Sequence, residues 1–250
     1  MCETAPPERG PFRFQGSPAV ILGIDTTTER LHLALVRGDR TWTRGLDVGI
    51  GRSHSGTLLP TVDELLGEAG AAPSDLSGVV ACVGPGGFTS LRIGVATAEG
   101  LALTGLPTWG FSAFELRARA LREAGLQGPV WILLDGQRQE AFAQLWDLEA
   151  RTPALKLPLA GLAERIQGAP WWTPSGFRER AQAHLAHPPL DLAGEEAATL
   201  AGLAALCRER PLGPAEAPLV PFYLRETDAE VNFPQASAHL SEALRRGIAR

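Results

Sequence analysis

The 250-residue chain is poor in cysteine, with only Cys2, Cys82 and Cys207, and it contains a single lysine, Lys156. The cysteines are widely spaced, odd in number and in no CxxC arrangement, so neither a disulfide framework nor a zinc knuckle organises the fold, and a reducing compartment is expected. No run approaches the ~18 uninterrupted apolar residues of a membrane-spanning helix. The first residues, MCETAPPERGPFRFQGSPAV, have no apolar stretch before Ala19, which excludes a secretory signal and reads as a loose leader over residues 1–18. Net charge is −5 and the positive charge is almost all arginine. Autonomous nucleic-acid binding therefore lacks its concentrated basic surface, and the local group Arg117, Arg119 and Arg122 reads as a solvated helix face. GxSxG and HExxH are missing, as is any recognisable Cys/His arrangement, so no local sign of a nucleophile is present. Among the histidines, His184 and His187 form an HxxH next to Pro188-Pro189 without further ligands in register, which favours a surface helix end over a metal site. His54 heads a helix, and His32 and His239 have no evident partners.

At 44% hydrophobic residues there is enough apolar material for a substantial core or two packed lobes. Ala19 to Asp25 (AVILGID) is an apolar, β-branched run ending in a hydroxyl-rich turn, Thr26-Thr27-Thr28. Leu31 to Val36 and Thr41 to Leu46 continue as strands, giving a three-stranded meander that opens on Asp25. Leu58, Leu59, Val62, Leu65, Leu66 and Ala69 fall at helical spacing after Ser53, a capping residue. Leu76 to Val83 is a buried strand that runs into Gly84-Pro85-Gly86-Gly87-Phe88-Thr89-Ser90 and then a helix to Thr104. That helix is rich in small residues (Gly94, Ala96, Ala98, Gly100, Ala102), which predicts close approach of another element, since each helical glycine costs ~1 kcal/mol against alanine. A short strand at Pro107 to Gly110 and a helix from Ser112 to Ala124 follow.

The pattern then restarts. Pro129 to Asp135, a turn at Gly136 to Arg138, and Glu140 to Trp146 repeat the opening strand, aspartate, turn and strand. Two copies of one unit predict a duplicated α/β fold, with a first lobe at 19–110, a second at 111–217 and an extended tail at 218–250. Beyond Asp147 the signals are a strand near Ala154 to Leu157 and helices near Leu159 to Gln167, Phe177 to His187 and Gly194 to Arg210.

Two local constellations invite chemistry. Asp25 with its threonines could position a divalent cation or a phosphate, or simply close a hairpin through an Asx turn. The loop Gly84 to Ser90, between a strand and a helix N-terminus, could present main-chain N–H groups to an anion, or its glycines could serve only a sharp turn and tight packing. It lacks the Gly-Lys-Ser/Thr ending of a P-loop and the acidic residue that accompanies a dinucleotide fingerprint.

The segments ILGIDTTTERLHLAL, RSHSGTLLPTVDELL and VGPGGFTSLRIGVATAEGLALTGLPTWGFSAFEL, in that order and spacing over roughly the first 120 residues, resemble the bacterial TsaB (YeaZ) family. VWILLDGQRQEAFAQLW and the Tyr223-Leu224-Arg225 tail are similar to later family features. The resemblance implies an actin/Hsp70-like (ASKHA, ribonuclease H-like) two-lobe fold. It also implies a cytoplasmic, non-catalytic scaffold or activator subunit of the machinery that makes threonylcarbamoyladenosine in tRNA. The expected partners are the TsaD-type transferase and the TsaE-type ATPase, with a homodimer when the partner is missing, tRNA reached through the complex and no membrane contact. ATP and metal are expected on the TsaD-type partner, whose His-x3-His motif would fall near Ala113 and Arg117 here; neither residue supplies an imidazole. The family loop more often reads GPGSFTGLRIG, with Gly87 and Ser90 here exchanging small residues. By the same resemblance, the pairing interface is expected at His54, Leu58, Leu59, Val62, Leu66, Leu91, Val95 and Ala98, while Asp25, Thr26, Gly84, Gly86 and Gly87 would be a vestigial nucleotide or phosphate site. The rival readings are a free-standing enzyme of the same fold, either a metallopeptidase or a small-molecule kinase using Asp25, the Gly84 loop and Asp135, and a homodimeric binding protein without a tRNA role.

Overall fold

The computed structural model describes residues 18–48, 53–212, 215 and 218–225. Residues 1–17 of the expected leader and 226–250 of the expected tail lie outside the described residues, as do Cys2 and His239.

The first sheet is built from β1 (Val20–Asp25), β2 (Arg30–Arg37), β3 (Arg40–Asp47), β4 (Leu76–Gly84) and β5 (Thr108–Ser112), in the order β3-β2-β1-β4-β5. β1 is antiparallel to β2 and parallel to β4, and β4 is parallel to β5. The second sheet contains β6 (Val130–Asp135), β7 (Glu140–Trp146), β8 (Leu155–Pro158) and β9 (Trp171–Trp172), in the order β8-β7-β6-β9. Its first three strands form an antiparallel meander, and β9 joins β6 in parallel, so it repeats the first sheet without a fifth strand. This duplicated α/β arrangement is the two-lobe, actin-like and ribonuclease H-like fold that the sequence resemblance implied.

Helices cover the sheets in layers. α1 (His54–Glu68) and α2 (Phe88–Ala102) lie on one face of the first sheet, where Val20, Leu22 and Ile24 meet Leu58, Val62, Leu65, Leu91 and Val95. The opposite face, through Ile21, Ala34, Val36, Val80 and Cys82, packs on α3 (Ala113–Glu123) and α6 (Glu195–Glu209). Ile132, Leu134, Phe142 and Trp172 of the second sheet close the same cluster from the other side, so α3 and α6 are sandwiched between the lobes. The outer face of the second sheet, with Trp131, Leu133, Ala141 and Ala143, is covered by α4 (Leu162–Ile166) and α5 (Ser175–Gln182). A strand covered on both faces reads as a continuous apolar run rather than an alternation, which is why every residue of β1 is buried.

Local chemistry sets the boundaries. The Ser53 hydroxyl accepts from the Gly56 N–H at 3.2 Å and caps α1, and Ser112 accepts from Glu115 N–H at 3.0 Å to cap α3. The close approach predicted for α2 occurs at Gly94, where a Cβ would run into the Thr26 side chain, whereas Gly100 has open space around it; a second close approach, which no sequence signal had indicated, occurs where α6 crosses α3. A Cβ on Gly202 would stand 2.9 Å from the Ala120 nitrogen, so only glycine permits this crossing. α6 also packs on β1 and β2 of the first lobe, although in sequence it belongs to the second. No described helix is long and apolar enough to cross a membrane.

Candidate functional site

Asp25 ends β1 and is fully buried at the junction of the lobes. Its Oδ1 accepts from the Thr27 N–H at 3.0 Å and from the Thr27 hydroxyl at 2.6 Å, the Asx arrangement that closes the β1–β2 hairpin. Its Oδ2 accepts from Arg117 Nη2 at 3.1 Å, and His32 Nδ1 stands 3.4 Å away. Burial alone would push the carboxyl up. The Arg117 guanidinium, then His32 and the Thr27 hydroxyl, outweigh it and hold Asp25 far below the usual carboxylate range. Arg117 is itself 3% exposed, and its Nη1 has no partner. The expectation of a solvated Arg117 is thus corrected. Only Arg119 and Arg122 lie at the surface side of α3, paired with Glu209 and Asp147.

Thr26 turns the other way and donates its hydroxyl to the Ser90 carbonyl at 2.8 Å, packing on Gly94 of α2. The glycine loop lies against the same turn. Gly87 N–H donates to Thr27 O at 3.1 Å, and a Cβ on Gly86 would stand 2.5 Å from that carbonyl oxygen. Gly84 has φ +112° and a Cβ there would meet the Phe222 carbonyl oxygen at 2.6 Å. The structure therefore brings Asp25, Thr26, Gly84, Gly86 and Gly87 together as the sequence predicted, but as mutually satisfied packing. The carboxylate faces an arginine and the Gly87 N–H is engaged, while Gly84 and Pro85 are buried and residues 87–89 at the start of α2 are exposed. These residues do not fit a metal–phosphate group.

The second lobe repeats the device. Asp135 ends β6, accepts from Gln137 N–H at 2.8 Å and pairs with Arg180 Nη1 at 2.7 Å. Both strand-end carboxylates, the ones a kinase of this fold would use, are thus neutralised by an arginine of the same chain. Ala113 and Arg117 sit one turn apart on α3, both buried. Among the described residues, no three His, Cys, Asp or Glu side chains gather to hold a metal. His187 is engaged through its carbonyl, which accepts from Trp171 Nε1 at 3.1 Å. Cys82 and Cys207 are buried and free, and burial pushes the Cys207 thiol up to about 12 and Cys82 well above its usual value.

The neighbours of Asp25 were only partly visible in sequence. His32 is opposite Asp25 in the β1–β2 register, a placement that follows from the length of the hairpin turn. Arg117 arrives from 92 residues away and had no local signal.

The expected partner interface requires a larger correction. His54, Leu58, Val62, Leu66, Leu91, Val95 and Ala98 are buried, and of the eight only Leu59, 52% exposed, reaches solvent. An amphipathic helix turns its apolar stripe to its own sheet, and that stripe is what the spacing picked out. The outward faces of α1 and α2 instead carry Leu59, Phe88, Ala96, Gly100 and Leu103, the last 90% exposed.

Comparison with known proteins places this geometry. The family model described as TsaD, tRNA N6-adenosine threonylcarbamoyltransferase, matches residues 49–152. A Bacillus subtilis protein named tRNA threonylcarbamoyladenosine biosynthesis protein TsaB is 32% identical over 154 residues, covering 59% of this chain and 66% of that one. The Escherichia coli protein of the same name is 37% identical over 123 residues, 49% of this chain and 52% of its own. The chain thus spans between about half and two thirds of these relatives. The crystal structure of YeaZ from Pseudomonas aeruginosa superposes with a TM-score of 0.65 at 26% identity, covering 82% of this chain and 100% of that one. The chain belongs to the TsaB (YeaZ) family. The match to the TsaD model covers α1 through β7, the stretch that contains the glycine loop and α3, as expected of two families sharing one fold. Within that TsaB framework, the arginine-locked Asp25 is what distinguishes this site from one open to a ligand.

Proposed function

We propose that this chain is a non-catalytic subunit of the assembly that forms threonylcarbamoyladenosine in tRNA. It docks on a TsaD-type transferase through the outward faces of α1 and α2, with a TsaE-type ATPase as the further component. The observation that carries this reading is the Arg117–Asp25 pair: the residue that would hold a metal–phosphate group is buried and neutralised within the chain. The named relatives support the pathway, since they are described as tRNA threonylcarbamoyladenosine biosynthesis proteins. Exposed Leu59 on α1, and exposed Leu103 one turn after Gly100, which with Ala96 is a small, exposed residue of α2, support the docking face, because small residues let helices approach closely around apolar anchors. ATP, metal and tRNA then belong to the partner's chemistry, the complex acts in the cytoplasm, and self-pairing through the same face occurs when the transferase is missing.

Co-purification of this chain with the TsaD-type transferase of the same organism tests the proposal. The wild type is expected to form a stable complex and a Leu103→Glu variant, folded as judged by an unchanged melting temperature, to lose it. Equal complex formation by the two would remove the α1/α2 face from the account.

A further inference from the structure

After α6 the chain returns to the junction of the lobes, and residues 218–225 lie along it without helix or strand. Leu219 is buried in the α1/α2 cluster, and its N–H donates to Glu99 Oε1 of α2 at 2.8 Å. Phe222 N–H donates to Val83 O at 2.6 Å. That carbonyl is available because the pairing of β4 with β5 is irregular between Cys82 and Gly84. Tyr223 is gripped from the side. Arg92 Nε donates to its hydroxyl at 3.0 Å, the Arg92 guanidinium lies 3.7 Å over the Phe88 ring, and the Phe88 and Tyr223 rings are 5.2 Å apart. Leu224 packs on the cluster between the lobes. Arg225 then reaches the second lobe, where Nη1 donates to Gly136 O at 3.1 Å and Nη2 pairs with Glu140 at 3.3 Å.

One eight-residue segment is thus bonded to the strand-end loop of each lobe, Val83–Gly84 on one side and Gly136–Glu140 on the other. The second loop is strained, since Gln137, Arg138 and Gln139 have φ values of 60°, 47° and 65°. Three consecutive non-glycine residues in that region persist only where the surroundings hold them, and Arg225 is one of the groups that does so.

We infer that residues 218–225 are a built-in peptide ligand of the interlobe cleft. The cleft is a groove for an extended peptide carrying an aromatic residue and, two positions later, an arginine, and its occupant is the chain's own tail segment. By occupying the groove the segment ties the lobes together, the task that a bound small molecule performs in a two-lobe protein with an open cleft. Main-chain bonding to a strand end gives such a peptide its affinity, and side-chain subsites give it specificity. The inference stands on the contacts of this chain alone and does not depend on the proposed tRNA role.

The test replaces residues 213–217 with a site-specific protease sequence, cuts the purified chain there, and follows the tail fragment by size exclusion. Amide hydrogen exchange is read at residues 83–88 and 136–140. The cut wild type is expected to keep its fragment and its protection at both loops. The cut Tyr223→Ala/Arg225→Ala chain is expected to lose the fragment, with exchange at both loops rising by about tenfold or more. A synthetic peptide of residues 218–228, added in excess, should restore protection, and the same peptide with both alanines should not. Loss of the fragment from the cut wild type overturns the inference. Should the replacement prevent folding, the uncut Arg225→Ala chain decides: exchange must rise at residues 83–88 as well as at 136–140. A rise confined to 136–140 makes Arg225 a local ion pair and sinks the strap.

Discussion

At Asp25 and Arg117 two charges share one buried site, and each is tolerable only because of the other. Breaking a buried pair leaves an uncompensated charge and costs ~3–5 kcal/mol, whereas removing both members costs much less than the sum. Denaturant titration should therefore show large losses for Asp25→Asn and for Arg117→Met, and a double variant more stable than the two losses added together. Additive losses would mean that the carboxylate and guanidinium are not coupled. The pair also sets a pH dependence. Because the folded Asp25 carboxyl is held far below its unfolded value of 3.8, its contribution is full above that value and declines as pH falls through and below it. His54 acts in a higher window. Burial lowers its folded value below 6.5, so the unfolded chain takes up protons first and stability declines as pH falls through about 6.5. Melting curves between pH 7.5 and 5.5 should show this decline in the wild type and a shallower one in His54→Gln. An unchanged slope would assign the dependence to another group.

At the scale of elements, neighbouring residues on α1 make opposite predictions. Leu58 is buried against the sheet and Leu59 points out. Leu58→Ala should cost ~2–5 kcal/mol of folding stability, while Leu59→Ala should change stability by less than ~0.5 kcal/mol and instead weaken capture of the transferase. Where α6 crosses α3, Gly202→Val has no space for its side chain and should cost ~1–3 kcal/mol through overpacking; a neutral effect in a thermal melt would contradict the tight crossing. The same elements show what could be read beforehand. β1, β2 and β4 were legible because strands covered on both faces are apolar throughout, and α1 because its stripe recurs at helical spacing. β9 has two residues, Trp171 and Trp172, too few for any periodicity. The helix expected to run from Phe177 to His187 is α5, Ser175–Gln182, and the helix expected from Leu159 is a 3-10 turn followed by the short α4. The residues expected at a partner interface are those of the buried stripe, because periodicity reports the face turned to the sheet, and the solvent face is whatever remains. Arg117 and Arg119, two apart on α3, lie about 200° apart around the helix axis, which puts Arg117 on the buried face and Arg119 toward the surface.

At the scale of the whole molecule, the repeat of strand, aspartate and turn predicted a duplicated fold, and the two sheets share one strand order except for the missing fifth strand. Each lobe keeps its strand-end aspartate and each neutralises it with an arginine, Arg117 in one and Arg180 in the other. A cleft so treated retains the shape of its fold while an arginine of the same chain pairs each strand-end carboxylate, which is the physical basis of the proposal that the subunit is non-catalytic. The most direct test is a reconstituted threonylcarbamoylation of tRNA containing the TsaD-type and TsaE-type proteins, the carbamoyl donor system and this chain, each omitted in turn. Modification should collapse when this chain is left out, be restored by Asp25→Asn/Arg117→Met protein that folds, and not be restored by Leu103→Glu. Full modification without this chain, or turnover of ATP by this chain alone, would contradict the proposal.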